Sequence, residues 1–325
     1  MSSTIASPSA SDATAAATST SSAATPSSTA TGSSATDLED YSLPLNVTIW
    51  FLSGIATLFL TLRLYAKIWR KRPLWWDDYV LIAGWLSLIL SCAFLTVCTH
   101  FDLGKHGEKI KPKNLSPLLK YSYFAGFFSI LAAVWSKSSF AITLLGFSQG
   151  RTRKVIWFIL ISINIVMGGN ALLQWIQCWP VPKLWLGGEG VCWLKFPKAR
   201  AINTVVAVYS GTADIVLALL PWKIIWNAKI RRSEKLGALF AMSMGVFAGA
   251  ASFSKILTLV AIGNADMITL VSLYIVATAE GAITIMAASI PILRALFHQK
   301  SGPTTPSVPS SFKITVDNSP RNSRV

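Results

Sequence analysis

The sequence predicts an all-α fold: a polytopic membrane protein built as a seven-transmembrane-helix bundle, N-terminus outside and C-terminus cytoplasmic. Three observations carry this. Seven long apolar stretches, separated by short polar loops, occupy residues 45–296. Charged residues make up 13% of the chain, against about 25% in soluble domains, and the shortfall lies in the middle. Tryptophans gather where the stretches end, as interfacial belts require. Trp69, Trp75, Trp76, Trp157, Trp222 and Trp226 fall at one set of ends. Trp50, Trp175, Trp179, Trp185 and Trp193 fall at or beyond the other, and Trp85 and Trp135 lie deeper. In hydrocarbon every backbone N–H and C=O must be paired within its own segment, so the stretches are read as helices. A helix crosses the bilayer core with about 20 apolar residues.

Residues 1–43 open the chain as a Ser/Thr/Ala-rich tract. Such a composition buries no core and predicts a disordered extracellular tail. It lacks the apolar run of a cleavable signal peptide, so the first span is expected to act as the signal anchor. The membrane domain covers residues 44–297. Its spans are expected at residues 45–65, 79–99, 121–147, 155–177, 203–226, 236–262 and 268–296. Residues 298–325 are rich in Ser, Thr and Pro and predict a disordered cytoplasmic tail.

Orientation follows from the basic loops. Lys67, Arg70, Lys71 and Arg72, then Arg151, Arg153 and Lys154, then Lys229, Arg231, Arg232 and Lys235, and finally Arg294 and the tail cations share one face. The other face receives fewer, chiefly Lys105 to Lys120 and Lys183 to Arg200. The richer face is taken as cytoplasmic. Two sequons, Asn46-Val47-Thr48 and Asn114-Leu115-Ser116, then fall outside as N-glycosylation candidates, with Asn46 close to the membrane. The net charge of +15 follows from these loops, and nucleic acid is not expected as a partner.

Cys178 and Cys192 bracket the loop CWPVPKLWLGGEGVC. An oxidising compartment favours a disulfide there. Closing a loop of about 15 residues stabilises by roughly 3 kcal/mol in the entropy model. The alternative pairs Cys98 with one of them, and Cys92 reads as a buried thiol.

Lys137, Asp214, Lys255 and Glu280 stand well inside the spans. A Lys or Asp at a helix centre costs about 2.5–3.5 kcal/mol on insertion scales, so these four should face the interior and pair. Two readings stay open: a polar cavity that binds a ligand or switches packing, and an ion-pair network that fixes helix order. Asp77 and Asp78 precede the second span, where they can cap its N-terminus or pair with Arg63 or Arg294 at the cytoplasmic face. Gly237, Ala241, Gly245 and Gly249 form a small-residue stripe for close helix packing. Pro221 and Pro291 can kink their helices.

WWDDYVLIAG, WSKSS, the cysteines of CWP and GVC, SGTADIVLALLPW and AEGAITIMAASIPILRALF occur in this order. Together they resemble the fungal rhodopsin-domain family of seven-helix integral membrane proteins, over about residues 45–297. The resemblance implies family positions at Asp77 and Asp78, Lys137, Asp214 and Pro221, Lys255, and Glu280, Pro291 and Arg294. A Gly-x-Gly-x-His loop pattern common in the family is reduced here to Gly104-Lys105-His106, and no cysteine-rich domain precedes the first span. Retinal opsins hold their chromophore through a lysine in the seventh helix. This chain has none there, so no retinal and no other cofactor is expected.

The reading is a receptor-like sensor of an environmental or small-molecule cue. Its expected partners are the lipid bilayer, an unknown small-molecule or surface ligand and a cytoplasmic signalling protein. The plasma membrane is its expected location, with an endomembrane as the alternative. A transporter or accessory membrane component of a secondary-metabolite pathway is the alternative function. An enzyme is not expected. The three histidines, His100, His106 and His298, divide between the two faces and cannot converge on one metal ion.

Overall fold

The computed structural model describes residues 41–298, apart from residues 72, 105–110, 149, 187–189, 195, 227–231 and 262–266. Within helices, the side chains of residues 147, 196, 221–226, 232–242, 244, 261, 267–268, 291–292 and 294–298 are also outside the description. Residues 1–40 and 299–325 of the expected tails, the Gly237 and Ala241 side chains, and those of Pro221, Pro291 and Arg294 therefore lie beyond it; of the rest of the expected tails, Ser42 and Leu43 are already in the first long helix and His298 ends the last.

The described chain is helical. In order come α1 (Ser42–Trp69), α2 (Trp76–His100), α3 (Pro112–Phe147), α4 (Arg151–Ile176), β1 (Cys178–Trp179), α5 (Lys183–Leu186), β2 (Val191–Cys192), α6 (Phe196–Trp226), α7 (Arg232–Ala261) and α8 (Met267–His298). Six of these are long and apolar enough to cross a membrane; in α7 the described apolar run is the shorter Gly245–Val260. The protein is an integral membrane protein.

The long helices outrun the expected spans. α3 begins at Pro112, not at residue 121, and α6 begins at Phe196, not at residue 203. Lysines and serines at a membrane surface do not break a helix whose backbone is already paired. Pro112 occupies the first turn of α3, where its missing N–H costs nothing.

The outer surface carries many large apolar side chains, and the interior, though mostly apolar, also holds charged and hydroxyl groups. Phe51, Leu58, Phe158, Ile165, Val205 and Leu257 point outward, while Ser53, Arg63, Ser91, Ser136, Lys137 and Glu280 are buried. An outward apolar surface of this extent is what lipid covers. The apolar windows of α1 and α4 are each 28% buried, against 67% for α3, which runs inside the bundle. α3 packs on α2, α4, α6 and α8; α6 packs on α7, α7 on α8, and α8 on α1. Trp69, Trp75 and Trp76 at one end and Trp179 and Trp193 at the other stand exposed. Trp85 turns inward and donates to Thr57 Oγ1 at 2.8 Å.

Two close approaches fix the helices that matter below. On α7, a Cβ at Gly249 would meet Ile215 Cγ1 of α6 at 3.1 Å, and one at Gly245 would collide with Ala218. The stripe, as far as it is described, therefore serves contact between α6 and α7. Beyond α4, β1 and β2 pair antiparallel with Cys178 opposite Cys192. The Cys178–Cys192 disulfide is formed, and Cys92 and Cys98 are free and buried. This disulfide hairpin marks one end of the bundle.

Candidate functional site

Four helices bring one charged side chain or pair each to a common point in mid-bundle. α3 supplies Lys137, and α8 supplies Glu280. α6 supplies Ser210 and Asp214, four residues apart and so on one face. α7 supplies Ser252 and Lys255, three residues apart. Lys137 Nζ donates to Asp214 Oδ2 at 2.8 Å, to Glu280 Oε1 at 2.7 Å and to Ser210 Oγ. An ammonium has three donors, and all three are used. Ser210 Oγ also donates to Glu280 Oε1 at 2.8 Å, and Ser252 Oγ to Asp214 Oδ2 at 3.1 Å.

The fourth charge is held differently. Lys255 Nζ stands 3.5 Å from Glu280 Oε2, and its side chain is 21% exposed. Glu280 Oε2 is buried and has no hydrogen-bond partner among the described residues. The set is balanced, two cations against two carboxylates, which removes the isolated-charge cost of burying any one of them. The serines were not legible as members of the site; their spacing from Asp214 and Lys255 was the only signal.

A cavity of about 370 Å³ adjoins this network. It runs from Leu103, Gln177, Leu194 and Arg200 at the hairpin end to Ser210 and Lys255. Its wall is largely apolar, with Tyr123, Asn170, Gln174, Asn203 and Tyr274 as polar points. The volume falls within the range of small-molecule sites, about 300–1,000 Å³. Sequence reasoning placed Arg200 in a loop and did not connect it with Lys255.

A second cluster lies at the other end. Arg63 of α1 donates through Nη2 to Asp77 Oδ2 at 2.6 Å, through Nε to Asp78 Oδ1 at 3.0 Å, and through Nη1 to the Ala288 carbonyl of α8. Lys67, one turn on, pairs with Asp78 and lies 3.5 Å from Asp77 Oδ2. Capping and pairing coexist, because Asp78 Oδ2 also accepts the Trp75 backbone N–H at 3.2 Å. α3 joins from the side: Ser139 Oγ donates to the Asp77 carbonyl at 2.7 Å and Thr143 Oγ1 to Asp77 Oδ2 at 3.4 Å. Lys67 was missed as a partner because it lies beyond the expected end of the first span.

The sequon asparagines are not in loops. Asn46, in α1, donates to Thr99 Oγ1 at 2.9 Å, and Asn114, in the first turn of α3, donates to Asp102 Oδ2 at 2.7 Å. His100 and His298 terminate α2 and α8 at opposite ends of the bundle, and His106 lies outside the described residues. Among the described residues, no group of three or more His, Cys, Asp or Glu side chains could hold a metal ion.

In comparisons with known proteins, the family model described as the fungal rhodopsin domain matches residues 62–299, well over half of the chain. No curated protein and no solved structure matches it.

Proposed function

The chain belongs to the fungal rhodopsin-domain family, and from that premise we propose that it is a receptor-like sensor of a small-molecule cue. α7 completes the bundle as a seventh span. The hairpin end faces outward, the N-terminus with it, and the C-terminus is cytoplasmic in the plasma membrane. The cue enters from the hairpin end, and the protein performs no catalysis. A signalling protein reads the end that carries Arg63, Asp77 and Asp78.

One observation carries the reading: a cavity of small-molecule size ends on a charged network that spans α3, α6, α7 and α8. A ligand there touches Lys255 and Ser210, so its binding energy bears directly on how four helices are held. That network is also tied to the opposite end, since Lys137 and Ser139 share α3 and Glu280 and Ala288 share α8.

The test is a fungal strain deleted for the gene and complemented with wild type or Glu280→Gln, scored for surface abundance and for responses to host surfaces and secreted metabolites. The expected result is normal surface abundance with a lost response. Lost abundance in both Glu280→Gln and Lys255→Gln would make the network purely structural and end the reading. Cue-driven flux through reconstituted vesicles would replace it with a transporter.

A further inference from the structure

Among the described residues that line the cavity, two side chains are basic, Arg200 and Lys255, and none is a carboxylate. Lys255 is the loosest member of its network. Its 3.5 Å distance to Glu280 Oε2 exceeds the about 2.7–2.9 Å of a charge-assisted hydrogen bond. Glu280 does not depend on it, because Oε1 is held by both Lys137 and Ser210. Arg200 lies in the second turn of α6, half-buried, and no ion pair joins it to a carboxylate among the described residues. Between these two cations the wall is mostly leucine, isoleucine, valine and alanine.

We propose that the cavity binds an organic anion: one acid group, such as a carboxylate, on an apolar body, with the acid seated at Lys255 and drawn in past Arg200. The inference takes the cavity of the sensor reading as its site. A cationic ligand would meet two like charges in a poorly screened space. A neutral apolar ligand would fill the wall and leave the Lys255 ammonium without a short acceptor. An acid supplies that acceptor, and in doing so it competes with Glu280 Oε2 for Lys255. Binding therefore loosens the tie between α7 and α8, which is how occupancy reaches the helix positions.

The test uses the full chain in nanodiscs of zwitterionic lipid, with empty nanodiscs as the blank. The probes are decanoate, 1-decanol and decylamine, which share a body and differ in head charge, with 4-phenylbutyrate and indole-3-acetate as acids of other shapes. Saturable binding is read by calorimetry and by the shift in unfolding midpoint. At least one acid is expected to bind. Decanol and decylamine should bind at least about tenfold more weakly than decanoate if decanoate is that acid, the loss expected of one charge-assisted bond. Lys255→Gln should weaken the acid by a similar factor, Lys255→Arg should keep it, and Arg200→Gln should weaken it several-fold. Failure of all three acids, parity of the alcohol or amine with the acid, or unchanged acid affinity in Arg200→Gln and Lys255→Gln overturns the proposal. Should Lys255→Gln fail to fold, the head-group series and Arg200→Gln decide alone. An acid that binds without evoking a cellular response removes the sensor role and leaves the site. A cellular response to a cue with no acid bound does the reverse.

Discussion

The mid-bundle network and the Arg63 cluster contain the same charges, two cations and two carboxylates, yet they are built on different plans. The Arg63 cluster draws its four charges from neighbouring helices α1 and α2, and both carboxylates have two cations within reach. The mid-bundle network draws its charges from α3, α6, α7 and α8. It leaves one carboxylate oxygen without a hydrogen bond and one lysine half-attached beside a cavity. The first arrangement keeps all its charges on one pair of helices and reaches α3 and α8 only through hydroxyl and carbonyl groups. The second sets the relative positions of helices far apart in sequence and keeps a contact in reserve. A cluster with nothing to spare holds; a cluster with a loose member can respond.

Substitutions test that contrast. The largest loss is expected for Lys137→Met, which strips Asp214 and Glu280 of their common partner in the interior. Breaking a buried pair from one side costs about 3–5 kcal/mol, so purified yield and unfolding midpoint should collapse. If Lys137→Met is tolerated as well as Lys255→Gln, the distinction between tight and loose members is wrong. Asp78→Ala comes next, at about 3 kcal/mol, because Arg63, Lys67 and the Trp75 N–H lose an acceptor together. Its unfolding midpoint should fall while binding at the cavity persists in the molecules that fold.

Gly245→Leu should cost about 1–3 kcal/mol by overpacking against Ala218. Because it separates α6 from α7, it should also weaken cavity ligands, whereas Asp78→Ala should not; equal effects on binding would merge the two regions into one unit. The smallest change is Thr143→Val, which removes a hydroxyl whose one proton lies between the Ser139 carbonyl at 3.0 Å and Asp77 Oδ2 at 3.4 Å, and should shift stability by less than about 1 kcal/mol.

Much of this was legible in the sequence because the solvent is so selective. Six of the seven apolar stretches fall on helices long and apolar enough to cross a membrane, and the sixth in order falls on α7, whose described apolar run is shorter. Lys137, Asp214, Lys255 and Glu280 stood out since a charge within an apolar run is costly, and the structure brings these four together. Ser210 and Ser252 did not stand out, because serine is cheap at any depth and its role depends on its neighbour. The starts of α3 and α6 were misplaced for a related reason. Hydropathy reports the apolar part of a helix, whereas α3 and α6 begin at Pro112 and Phe196, in more polar sequence ahead of it. Arg200 was hidden by that error, having been read as a loop cation when it sits on a helix lining the cavity.

The motif WSKSS has a geometric consequence. Lys137 and Ser139 are two positions apart, and at about 100° per residue they leave α3 on nearly opposite sides. One reaches α6 and α8; the other reaches the start of α2. α3 is thus a spindle gripped from both flanks. Any twist about its long axis sweeps the two side chains through opposing arcs, so neither grip can be turned while the other stays still.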